Sequence, residues 1–298
     1  MRLNLSSPAN SIGALSSDPS APDHDTAHAH KDLEVLRVPQ WSEFDWLLHG
    51  FSTRRGGQSR LSGGDCYELN LGYSAADLPE AVAANRKMFL QSIPCKGKQA
   101  EGSATSQLGL VTLKQMHSSS VRRVGRTDET ERALLWGDGL MTSESGMLLG
   151  IQTADCLPVL VADRRLRAVA AFHAGWRGTM KRILEKGVHA VADEFGSRPE
   201  DLTAAIGPGI GSCCFIVGRE VQQLFQAQFS YADELFTPDM HLDLVKANRR
   251  QLVAAGLAPE AIFVVGECTS CRTDRYFSYR AERGKTGRMM AVVGIAPN

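Results

Sequence analysis

Between Leu33 and Ile295, nine short apolar runs of β character are interspersed with four helical patterns, and that mixture decides the fold class. The expected strands are Leu33–Val38, Leu48–Thr53, Leu108–Leu113, Met147–Ile151, Val159–Ala162, Ala168–Phe172, Leu202–Ile206, Ile262–Val265 and Met290–Ile295. The expected helices are Pro79–Ser92, Thr179–Phe195, Glu220–Phe229 and Leu242–Ala255. Strands and helices mix without a strict strand–helix–strand rhythm. They therefore point to an α/β or α+β domain with mixed sheets. No internal repeat and no linker follows residue 33, so residues 33–298 read as one domain. Residues 1–32, rich in Ser, Ala, Pro, Asp and His and without a period, read as a disordered tail. His24, His28 and His30 in that tail are read as solvated residues.

Composition narrows the partners. Lys plus Arg and Asp plus Glu balance at 33 each, so no net field favours nucleic acid or an anionic membrane. An anionic ligand must then be held by individual basic side chains. No apolar run nears the roughly 20 residues of a membrane span, and the start of the chain has no apolar signal core. Seven Cys in a chain with a large core fit reduced thiols and a cytoplasmic location better than a disulfide framework.

Three motifs carry chemistry: Lys114-Gln-Met-His117, Thr153-Ala-Asp-Cys156-Leu-Pro, and Phe172-His173-Ala-Gly-Trp176-Arg177-Gly178. His117, Cys156 and His173 each fall at the end of an expected element, flanked by polar or glycine residues. Two imidazoles and a thiolate are the donors of an open catalytic zinc or copper site. Asp155 is open to two readings: orienting a ligating His, or bonding to backbone nearby. Arg54 and Arg55 beside Gly56-Gly57, and Arg177 at a helix start, offer anion contacts. The segment Ile206-Gly-Pro-Gly-Ile-Gly211-Ser-Cys-Cys214 lacks a nucleotide-loop signature and reads as a tight pocket-lining turn before another β-type run. Cys268-Thr-Ser-Cys271 has a C-x₂-C spacing. Adjacent Cys213 and Cys214 would face opposite sides of a strand, however, so free thiols are expected there.

With these residues assembled, the chain resembles the laccase-domain family, also called multicopper polyphenol oxidase-like or YfiH-like. Further matches are Gly50-Phe-Ser-Thr-Arg54-Arg-Gly-Gly, Asn70-Leu-Gly, Asn85-Arg, Gly137-Asp-Gly-Leu-Met-Thr142, Phe277-Ser-Tyr-Arg280 and Gly287-Arg-Met. The resemblance implies a layered α/β/β/α sandwich, a metal held by His117, Cys156 and His173, and Arg54 at the substrate. Ile216 stands where the family usually has an acidic residue, and Gly139 where Ala is usual.

Members of the family are described as purine nucleoside phosphorylases with adenosine deaminase activity and as a peptidoglycan editing factor. The leading expectation is a zinc enzyme acting on a purine nucleoside and phosphate. Its catalytic set would be Cys156, His173, His117 and Arg54. Gln115, Trp176 and Arg177 would join Arg54 in binding substrate. A Cys–His hydrolase editing a peptidoglycan precursor is the alternative, with Cys156 as nucleophile, His173 as base and Asp155 or another carboxylate as orienter. A copper polyphenol oxidase ranks below both, since only His49, His117, His173, His189 and His241 follow the tail.

Overall fold

The computed structural model describes residues 33–61, 67–74, 76–94, 108–128 and 134–297; the expected N-terminal tail lies outside them. The strands are β1 (Val35–Leu36), β2 (Leu47–Ser52), β3 (Arg55–Ser59), β4 (Gly109–Thr112), β5 (Val121–Arg123), β6 (Gly139–Thr142), β7 (Met147–Thr153), β8 (Leu157–Asp163), β9 (Val169–Ala174), β10 (Leu202–Ile206), β11 (Ile262–Val264) and β12 (Met289–Ile295). The α-helices are α1 (Pro79–Gln91), α2 (Trp176–Met180), α3 (Ile183–Phe195), α4 (Arg219–Gln228) and α5 (Leu244–Ala254).

Two mixed sheets form, with strand orders β1-β2-β12-β7-β4 and β11-β10-β8-β9-β6-β5. Their central strands are apolar on both faces because each face meets a different layer. In β8, Leu160 and Ala162 pack between the sheets, against Phe51, Leu149, Ile151, Ala291 and Val293 of the five-stranded sheet. Val159 and Val161 of the same strand point the other way, toward Ile183, Leu184 and Val188 of α3 and Leu252 of α5. On the far side, Leu148, Met290 and Val292 bury against Phe89 of α1. The result is a four-layer α/β/β/α sandwich, as the resemblance implied.

All nine expected strands form, with ends shifted by a few residues. Three more, β3, β5 and β6, do not show as apolar runs, because β3 is Arg-Gly-Gly-Gln-Ser, β5 is Val-Arg-Arg, and β6 is only four residues long. The single helix expected over Thr179–Phe195 is corrected to α2 and α3, separated at Arg182, which adopts a left-handed φ of 61°. Two buried amides of α5 bond to this break, and one of them, Gln251, satisfies its backbone. Gln251 donates to the Thr179 carbonyl (2.7 Å) and accepts from the Leu184 amide (3.3 Å), while Asn248 bonds the Thr179 hydroxyl (3.0 Å). Residues 212–214 are also a turn rather than the expected β-type run.

Candidate metal centre and pocket

The chain steps from one sheet to the other twice near a single point. Ala154-Asp155-Cys156 links β7 to β8, and the segment holding His117 links β4 to β5. His173 lies near the end of β9, on the strand face that Val169 and Ala171 turn toward the other sheet. One donor atom from each of His117, Cys156 and His173 falls within 4.8 Å of the others. The His117 Nε2 to Cys156 Sγ distance is 3.9 Å, and the two imidazole rings meet edge-on at 4.8 Å between centroids.

Close approach here depends on Gly175. A Cβ at that position would lie 2.6 Å from the Cys156 sulfur and 3.2 Å from His117 Cδ2. The glycine of the His-Ala-Gly-Trp motif is therefore what lets three elements converge.

Asp138, fully buried just before β6, organises the centre. It accepts from the backbone amides of His117 (3.0 Å) and Ser118 (2.6 Å), from the Ser118 hydroxyl (2.7 Å), and from His173 Nδ1 (2.8 Å). That last bond turns Nε2 of His173 toward the cluster, as a carboxylate partner does for a ligating imidazole. Burial opposes its charge, yet the bonds from His173 and Ser118 hold the Asp138 carboxyl well below the usual carboxylate range. Burial likewise opposes a Cys156 thiolate. The His173 charge and the His117 contact outweigh it and bring that thiol down to about 6. His173 rises to about 9: burial lowers it, but the Cys156 charge and the Asp138 bond prevail. The two shifts are mutual: the His173 charge draws the Cys156 thiol down, and the Cys156 charge draws His173 up.

Asp155 takes a different part from the orienting role that one reading gave it. Its backbone is left-handed (φ 85°), and its carboxylate accepts from the Thr269 hydroxyl (2.6 Å) and the Arg280 amide (2.6 Å). Asp138, and not Asp155, holds the His173 ring. Asp138 lies within the Gly137-Asp-Gly motif, but nothing in the sequence ties it to a His 35 residues away.

The three donors line a cavity of about 590 Å³, an ordinary size for a small-molecule site. Gln115, Trp176 and Arg177 line it as well, with Phe215, Tyr279, Arg280 and Arg288. Gln115 is fixed by a double hydrogen bond to the backbone of Gln152 (2.7 and 2.8 Å). Arg177 stacks on Trp176 at 4.3 Å, and Arg280 lies over Phe215 at 5.3 Å.

Arg54 does not line this cavity. The residue is buried, its guanidinium paired with Glu68 and Glu282 (3.1 Å), bonded to the Thr273 carbonyl (2.7 Å) and stacked on Phe277. The diglycine beside it serves an internal contact rather than an anion, since a Cβ on Gly57 would sit 2.1 Å from the Glu68 carbonyl oxygen. The departures from the resemblance also fall outside the cavity lining: Gly139 packs on Phe172 and Ile216 is exposed. The pocket arginines at 280 and 288 sit inside quoted motifs, but sequence alone did not say which arginines turn inward.

The model of the family described as multi-copper polyphenol oxidoreductase laccase matches residues 48–296. The chain belongs to this family. A purine nucleoside phosphorylase of Deinococcus radiodurans is 37% identical over 88% of this chain and 93% of its own. An adenosine deaminase, RL5, from an unknown prokaryotic organism is 37% identical over 60% of this chain and 72% of its own. The crystal structure of YfiH from Bacillus licheniformis superposes with a TM-score of 0.77 at 31% identity, over 88% of this chain and 96% of that one. No helix among the described residues is long and apolar enough to cross a membrane.

Proposed function

We propose that this chain is a zinc-dependent purine nucleoside phosphorylase with adenosine deaminase activity, taking adenosine, inosine or methylthioadenosine. The observation that carries the reading is convergence: two imidazoles and a thiol within 4.8 Å of one another share one cavity with three arginines. The donor set fits zinc, because Nε2 of His173 is freed by Asp138 and the Cys156 thiol is already acidic. When bound, zinc supplies Lewis-acid charge beside the substrate and makes water a usable nucleophile near neutral pH.

The chain's own residues do the rest. Trp176, Phe215 and Tyr279 offer aromatic faces for a purine. Arg177, Arg280 and Arg288 offer forked donors for phosphate, the role expected of Arg54. In phosphorolysis a phosphate oxygen bonds to C1′ as the C1′–N9 bond breaks and its electron pair leaves with the base. In deamination water adds at C6 and ammonia departs. Asp138 holds the proton on His173 Nδ1 in both, which leaves Nε2 as the atom that would hold the metal.

The test uses full-length protein with adenosine, with and without phosphate, before and after chelation. Adenine and ribose-1-phosphate, or inosine and ammonia, lost on chelation and restored by zinc, are expected. No turnover in zinc-replete protein sinks the proposal.

One observation favours a second reading. Cys156 also lies within 4.8 Å of His173, whose ring Asp138 holds, a thiol–imidazole–carboxylate set suited to a metal-free hydrolase or amidase acting on a peptidoglycan precursor. Amidase activity that survives chelation and is abolished by alkylating Cys156 would select it. The remaining histidines give copper oxidase chemistry no second centre among the described residues: His49, His189 and His241 join neither group of metal-ligating side chains.

A further inference from the structure

A second cluster lies outside the pocket, built from cysteines that the strand argument had kept apart. Because residues 212–214 form a turn, Cys213 and Cys214 both face the C-x₂-C turn, and the four sulfurs of Cys213, Cys214, Cys268 and Cys271 lie within 4.8 Å of one another. Cys271 Sγ is 3.3 Å from Cys214 Sγ and 3.5 Å from Cys213 Sγ. The sulfurs around a tetrahedral zinc, with bonds of about 2.3 Å, are about 3.8 Å apart. The two Cys271 separations fall within about 0.5 Å of that edge, on its short side, and no pair of the four exceeds 4.8 Å. The surrounding backbone is also arranged for thiolates. The Gly211 amide donates to Cys268 Sγ at 3.2 Å, while the Cys214 and Phe215 amides close the turn itself on the Gly211 carbonyl at 3.0 Å.

We infer that these four cysteines bind a structural zinc ion, separate from the His117–Cys156–His173 centre. Four thiolates leave no open position, so the site is closed and holds structure rather than substrate. What it holds is the pocket wall. The first turn carries Ile210 and Phe215 into the cavity lining, and the Ile210 amide donates to the Asp155 carbonyl at 2.8 Å. The second carries Thr269, whose hydroxyl bonds the Asp155 carboxylate beside Cys156. One ion pins both turns.

The experiment is zinc stoichiometry by elemental analysis on full-length protein prepared under reducing conditions, for wild type, His117→Ala and the double variant Cys268→Ser/Cys271→Ser. A loss of about one zinc per chain in the cysteine variant, with one retained in His117→Ala, is expected. Equal zinc in wild type and cysteine variant overturns the inference. Should the first centre hold no metal, wild type and His117→Ala would carry one each and the cysteine variant none, which still supports this site. Should the double variant fail to fold, cobalt reconstitution of His117→Ala decides. Intense thiolate-to-cobalt absorption supports the site; its absence, or a disulfide at Cys271 in the reduced preparation, refutes it.

Discussion

Replacing Gly175 with Ala isolates the steric basis of the His117–Cys156–His173 candidate metal centre. Gly175 has φ −70° and ψ 167°, a conformation that Ala adopts without strain. The substitution therefore acts through the added methyl and not through the backbone. That methyl would sit 2.6 Å from Cys156 Sγ, against an ordinary contact of 3.4 Å or more, so the sulfur must retreat by about 1 Å. Zinc–ligand distances tolerate about 0.2 Å. A shift several times larger weakens the thiolate bond, with a secondary push on His117 at 3.2 Å. We expect a 10–100-fold loss of zinc affinity, or about 1.4–2.7 kcal/mol, the scale on which a displaced or misoriented ligand is felt. Stability of the metal-free fold should change by about 1 kcal/mol or less, the cost of Ala for Gly at a helix start. Competition against a chromophoric chelator reads the affinity, and urea unfolding in excess chelator reads the fold. Affinity within twofold of wild type would refute the account of why the three donors can meet.

Two further outcomes follow from the ionisation of buried groups. In metal-stripped protein, alkylation of Cys156 followed by peptide mass should rise through a midpoint near pH 6, against the ordinary value of about 8.5. Replacing His173 with Ala should move the midpoint upward, and a wild-type midpoint above 8 would contradict the charge pairing. His49 gives a stability signature. Burial first, then the Arg37 charge, lower its folded pKa to about 4, while its Nε2 accepts from the Val38 amide at 3.0 Å. The unfolded chain takes up that proton near pH 6.5, so this stability is complete above 6.5 and is lost as pH falls toward 4. The loss should reach about 3 kcal/mol relative to a His49→Gln variant in urea unfolding across that window. Parallel pH profiles for the two proteins would be the contrary result.

The sequence was legible where physics is local. Apolar runs such as Val159–Ala162 and Leu202–Ile206 found their strands because both faces are buried, and His117, Cys156 and His173 stood out by their polar, glycine-rich frames. It was illegible where a residue's role depends on a partner far along the chain. Nothing near Arg54 announces Glu68 and Glu282, which draw it away from the cavity. Nothing near Thr179 announces Asn248 and Gln251, which let one helical pattern break into two. The cysteine pair misled for a related reason: alternation across a strand applies only if the segment is a strand, and the Gly211 carbonyl folds this one into a turn.

Two carboxylates explain how the centre can sit at the seam between the sheets. His117 (φ 58°) and Asp155 (φ 85°), the latter beside Cys156, are held in the left-handed region that costs a non-glycine residue about 1–3 kcal/mol. Both lie on links that cross from one sheet to the other, where the backbone must turn sharply. Asp138 secures the first link by accepting the His117 and Ser118 amides, and the Asp155 carboxylate secures the second through Thr269 and Arg280. Each strained turn thus has its own buried acid, and only one of these acids also bonds a member of the His117–Cys156–His173 group. Asp138 couples turn geometry to the protonation of His173, whereas Asp155 couples turn geometry to the loop bearing Cys268 and Cys271. The His117–Cys156–His173 group and the cysteine cluster are therefore parts of one framework, joined through Asp155.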